Sequence, residues 1–98
     1  MTPAKWHTLT LAQQMGNVGS ELARARHWEE HHDLKNRQEA FFRALTLIDL
    51  TISDQRWTKR RKELTRFREV TCAWFAMLPD YLISPQDLEY YCLQLNLR

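Results

Sequence analysis

An all-α, antiparallel up-down four-helix bundle with a short fourth helix is the fold class this sequence predicts, and three observations predict it. Leu, Ala, Gln, Glu and Arg are plentiful while β-branched runs are scarce. Two glycines and three prolines are few breakers for 98 residues. Apolar residues recur at spacings of three and four over about 10–31, 33–53, 57–77 and 84–96, with connections short enough to make successive helices antiparallel. Residues 1–98 are expected to form a single helical-bundle domain, without internal repeat, linker or low-complexity segment.

In the first helix Leu11, Met15, Val18, Leu22 and Ala25 make one stripe, and Thr10 with Gln13 fits a capping box. The second carries Phe41, Ala44, Leu45, Ile48 and Ile52, widened by Ala40, Leu47 and Leu50, so it should be the most buried. The third turns Leu64, Phe67, Val70, Trp74 and Met77 inward. "LPDYLISPQD" then breaks the pattern, and Ser84, Pro85 and Asp87 give a cap, a first-position proline and a third-position carboxylate. Leu88, Tyr91, Cys92 and Leu95 are the packing residues of the fourth. The expected core is Leu11, Val18, Leu22, Phe41, Leu45, Ile48, Leu64, Phe67, Trp74 and Leu88.

Both glycines fall inside the first helix, in "MGNVGSELARA", where each costs about 1 kcal/mol relative to alanine. Ala12, Gly16, Gly19 and Ala23 repeat at four, three and four residues, a row of small side chains that a neighbouring backbone or a large aromatic can approach closely. Facing outward, the same row becomes a docking surface between subunits. A phosphate-cradling "GNVGS" loop is disfavoured, since no strand precedes it and no lysine follows in place. A short fourth helix leaves apolar surface on the longer three, so a homo-oligomer is expected.

The longest apolar runs, such as "CAWFAML", are too short to cross a bilayer, so no membrane association is expected. "MTPAKWHTLTLAQQ" lacks the apolar core of a secretory signal, which points to the cytoplasm. Cys72 and Cys92 fall on different helices and read as small buried hydrophobes. Two thiols cannot fill a tetrahedral zinc site, and no cofactor is expected.

Charge is placed unevenly. Arg56, Lys59, Arg60, Arg61, Lys62, Arg66 and Arg68 face a single acid, Glu63, inside their segment, which is therefore +6 while the remainder is −4. Such asymmetry marks contact with RNA, DNA or an acidic protein such as a nucleic-acid-handling enzyme. The bland alternative is a solvated face with Lys59–Glu63 and Arg66–Glu69 ion pairs. On a continuous helix Lys59, Lys62 and Arg66 share a face, Arg60 and Arg56 form the next row, and Trp57 serves as a core anchor in preference to a base-stacking ring. Asp49, among apolar neighbours, is expected as a buried cap or a partner for Arg or Trp.

"HWEEH", His27 to His31, has the H-x-x-E-H spacing of one zinc peptidase class, but such a site needs a third ligand and a cleft, so no metal is expected and the histidines are read as neutralising a helix C-terminus. Arg26 and His31 fit the arginine, four residues, histidine pattern of the HEPN-like helical ribonucleases of toxin-antitoxin systems. That resemblance implies a phosphate-holding arginine and an acid-base histidine.

From "GNVGSELARA" through "ALTLIDLTISD" to "RRKELTRFREV", about two thirds of the chain resembles a family of small uncharacterised prokaryotic four-helix-bundle proteins. In architecture and in its basic third helix it is similar, more loosely, to the accessory proteins of diversity-generating retroelements. That likeness implies a ring-forming, non-enzymatic partner of a reverse transcriptase and RNA.

Overall fold

Local capping chemistry sets the helix ends. The structure, a computed structural model, describes residues 2–76 and 84–96, and every regular element among them is helical. The elements are α1 (Pro3–Trp6), α2 (Leu11–Glu30), α3 (Leu34–Ile52), a 3-10 helix (Gln55–Arg60), α4 (Arg61–Phe75) and α5 (Pro85–Asn96). Thr10 and Gln13 close the expected capping box on α2, Oγ1 accepting from the Gln13 N–H at 3.1 Å and Oε1 from the Thr10 N–H at 2.9 Å. Asp33 caps α3, and Ser84 and Asp87 exchange the same pair of bonds at the start of α5. His32, at φ 57°, turns the chain out of α2 in the left-handed conformation that usually falls to glycine.

α2 packs along both α3 and α5, α3 also meets α4, and α4 and α5 meet through side chains more than through close backbone approach. Met15, Val18, Leu22 and Ala25 of α2 meet Ala40, Ala44 and Ile48 of α3, Leu64, Phe67 and Trp74 of α4, and Leu88 and Cys92 of α5 in one core. Phe41 is buried too, its ring stacked on Phe75 at 3.8 Å. Leu45, expected in the core, is half-buried, and α3 is not enclosed on most sides, since Phe42 is 51% exposed. Met77 and the Leu95 side chain lie outside the described residues. Cys92 is buried and Cys72 only partly so; burial pushes the Cys92 thiol up to about 12, which leaves it an inert packing group.

Two elements depart from the periodicity. Thr2 and Pro3 start the short α1, where no helix was expected, and its Trp6 is wholly buried. The third helix begins four residues later than the expected Trp57. Asp54 caps a 3-10 turn, Trp57 leaves helical geometry at φ −105°, ψ 22°, and the α-helix proper starts at Arg61.

The cause is a buried polar cluster. Gln14, 0% exposed, donates through Nε2 to the Trp6 carbonyl at 2.9 Å and to Asp54 Oδ2 at 3.1 Å, while its Oε1 accepts from Trp57 Nε1 at 2.8 Å. Trp6 Nε1 donates to Thr51 Oγ1 at 3.0 Å, and Arg56 Nη2 reaches Asp54 Oδ2 at 2.6 Å and the Leu9 carbonyl at 2.7 Å. Reaching Gln14 pulls the Trp57 backbone out of phase.

The small-residue row of α2 faces α5. A Cβ at Gly19 would lie 3.2 Å from Cys92 Cβ, so α5 approaches closely there, with a cysteine rather than an aromatic in the notch. A Cβ at Gly16 meets nothing within 4 Å. Gly16→Ala should therefore stabilise the fold by about 0.5–1 kcal/mol through helix propensity. Gly19→Leu should destabilise it by about 1–3 kcal/mol through overpacking. Urea denaturation checks both, and equal effects at the two positions would contradict the close approach at Gly19.

The Arg56 guanidinium, with its backbone N–H and Gln14 assisting, holds the Asp54 carboxyl far below the usual carboxylate range despite burial. A lowered folded-state value means that this stability is fully present above the unfolded pKa of about 4 and is lost as pH falls through the folded value. Asp54→Asn should cost about 2 kcal/mol at neutral pH. The gap to the parent should narrow below about pH 4; a gap constant from pH 7 to pH 2 would show that the charge contributes nothing.

Candidate nucleic-acid interface

The basic segment begins on the 3-10 helix and continues into α4, so its seven cations do not lie along one regular helix. Lys59 belongs to the 3-10 turn, whereas Lys62 and Arg66 are four apart on α4, so the expected single row of Lys59, Lys62 and Arg66 does not form as a continuous helical face.

Four of the seven are held by carboxylates. Arg56 is bound to Asp54 and lies over the Trp57 ring, 4.6 Å from its centre. Arg60 pairs with Glu63 at 3.1 Å, and Glu63 Oε1 also accepts from Tyr91 Oη at 2.7 Å, which joins α4 to α5 beside the Phe67–Tyr91 ring stack. Burial, then this contact with Glu63, raises the Tyr91 phenol above its ordinary value, so the hydroxyl stays a donor. Arg66 pairs with Glu69 at 2.8 Å, as expected. Arg68 reaches Asp49 at 2.7 Å and so links α4 to α3. Asp49 is thus an arginine partner, but an exposed one rather than a buried one. Glu63 goes to Arg60 and Tyr91 in place of the expected Lys59.

Asp49 and Asp54, both outside the segment, supply the extra neutralisation that the local charge count lacks. What remains is three cations within four residues. Lys59, Arg61 and Lys62 are exposed, and none of them forms an ion pair among the described residues. Trp57 is half-buried, bonded to Gln14 and covered by Arg56, which makes it the core anchor.

The other constellations are built differently from what their motifs imply. Arg26 makes a two-pronged contact with Glu89 of α5, Nε at 2.6 Å and Nη2 at 3.1 Å, and also meets Glu30 at 3.3 Å. Its guanidinium is thereby a clamp between α2 and α5. His27 and His31 lie exposed at the end of α2, and among the described residues no three His, Cys, Asp or Glu side chains converge on a common point. No described helix is long and apolar enough to cross a membrane.

Sequence reasoning missed Gln14 and Arg37 altogether. Arg37, buried, donates from Nη2 to the Phe75 carbonyl at 3.1 Å, faces Glu29 at 3.3 Å and lies 4.3 Å from the Phe75 ring centre, so it closes the end of α4. No periodicity signals a buried arginine; only the neighbouring Glu29 and aromatic rings, distant in sequence or on other helices, justify it. The chain matches no family model, no curated protein and no solved structure.

Proposed function

We propose that the chain is a non-enzymatic accessory module whose four longer helices form an antiparallel bundle, which self-associates in the cytoplasm and holds RNA through the start of its third long helix. The observation that carries this is the group Lys59, Arg61 and Lys62, three exposed cations within four residues that no carboxylate among the described residues neutralises. Arg56, Arg60, Arg66 and Arg68 are held in ion pairs and flank the group without adding to its net charge. Leu34, Phe42, Tyr90 and Leu93 are large exposed apolar side chains, which favours self-association.

An acidic protein surface would be drawn to the same cations, but it lacks the even charge spacing of a phosphate backbone. The salt dependence of binding separates the two. If all three cations meet phosphates, Lys59→Gln/Arg61→Gln/Lys62→Gln should lower the slope of log affinity against log salt by about 2 for single-stranded RNA. Thermal stability should stay nearly unchanged, because the three side chains are exposed and make no ion pair in the described structure.

Fluorescence anisotropy with labelled RNA and DNA over a salt series makes the measurement. Undiminished binding in the triple variant with an unaltered slope would remove the proposal. RNA cleavage lost in His31→Ala would replace it with the ribonuclease reading.

A further inference from the structure

His27 and His31 occupy the last turn of α2 and its cap, both exposed, with ring centres 4.3 Å apart. His31 Nδ1 lies 2.8 Å from the His27 carbonyl oxygen. A carbonyl oxygen only accepts, so neutral His31 carries its proton on Nδ1 and leaves Nε2 with a bare lone pair. A backbone bond of this kind is what orients metal-ligating imidazoles. Two imidazoles bound to one ion through bonds of about 2.0–2.1 Å, meeting at about 90°, have ring centres about 4.5 Å apart. The observed separation is within a few tenths of an ångström of that value.

We propose that His27 and His31 form a two-imidazole chelate for a divalent transition-metal ion of the copper(II) or nickel(II) type, with water completing its coordination. Imidazole nitrogens suit copper(II) and nickel(II), and copper(II) binds such donors most tightly among the divalent first-row ions. The nearby carboxylates are otherwise engaged, Glu29 with Arg37, Glu30 with Arg26, and Asp33 in the cap of α3. The donor set is therefore the two rings, and the carbonyl end of α2 adds negative potential beneath them. This is an open, exchangeable surface site, unlike the three-ligand peptidase arrangement that the H-x-x-E-H spacing implies.

Trp28 provides a reporter, because its ring centre is 4.8 Å from that of His27. The experiment titrates the untagged full chain with copper(II), nickel(II) and zinc(II) salts, following tryptophan fluorescence and heat. Saturable binding of one copper ion per chain is expected, with copper tightest, and with quenching that is largely lost in Trp28→Phe. His27→Gln and His31→Gln should each weaken copper binding by about tenfold or more, as loss of a chelating ligand does. His32→Gln should leave the affinity unchanged, and circular dichroism of each variant checks that the helix persists. Copper affinity undiminished in the double variant His27→Gln/His31→Gln, an equal loss in His32→Gln, or no saturable binding to the parent would each overturn the assignment.

Discussion

The fold depends on one buried amide. Gln14 is enclosed on α2 and makes three hydrogen bonds, to the backbone of α1, to the carboxylate of Asp54 and to the indole of Trp57. These partners come from segments 8 to 43 residues away, so a single side chain determines where three pieces of chain meet. An amide buried without partners costs several kcal/mol by transfer scales, whereas fully satisfied it excludes alternative packings in which any partner would be orphaned. α1 is too short to be stable alone and persists because Trp6 is anchored by this cluster and by Thr51.

The same cluster determines the electrostatics of the surface. Because Trp57 must reach Gln14, the chain passes through a 3-10 turn before α4, and the basic residues are divided by that change of phase. Those whose positions bring them to Asp54, Glu63, Glu69 or Asp49 are held in ion pairs, two of them crossing to other helices directly or through Tyr91. Lys59, Arg61 and Lys62 are left pointing to no carboxylate among the described residues. A charge run is thus a mixture of structural and unsatisfied cations, and only a non-local map of acids separates them.

How much of this was legible in the sequence follows from the range of each interaction. Caps act over three residues, so Thr10 with Gln13 and Ser84 with Asp87 were readable, and α2 and α3 begin and end within a residue or so of where spacing puts them. The stripe residues Val18, Leu22, Ile48 and Leu64 were readable because burial on a helix has a period. Gln14 breaks that period: a polar residue between Leu11 and Met15 looks like solvent-facing helix, and nothing local shows that two tryptophans and an aspartate converge on it. The contact at Gly19 was legible in kind but not in partner, since spacing shows a notch and only the fold places Cys92 in it.

Distance along α2 separates the two proposed sites. Gln14 holds the 3-10 turn that carries the basic residues, while His27 and His31 are at the opposite end of the same helix. With a rise of about 1.5 Å per residue, the imidazole pair lies about 20 Å along the axis from Gln14. Changes that far apart with no shared partner act independently, so a charge removed from the 3-10 turn and a ring removed from the histidine pair should add without coupling. α2 joins the two sites, clamped to α5 by Arg26 and Glu89 next to the histidines, and α3 packs alongside it. Coupling between them would need an element with two arrangements that both sites bias. The two proposed sites share a scaffold but no side-chain partner, so removing either leaves the contacts of the other in place.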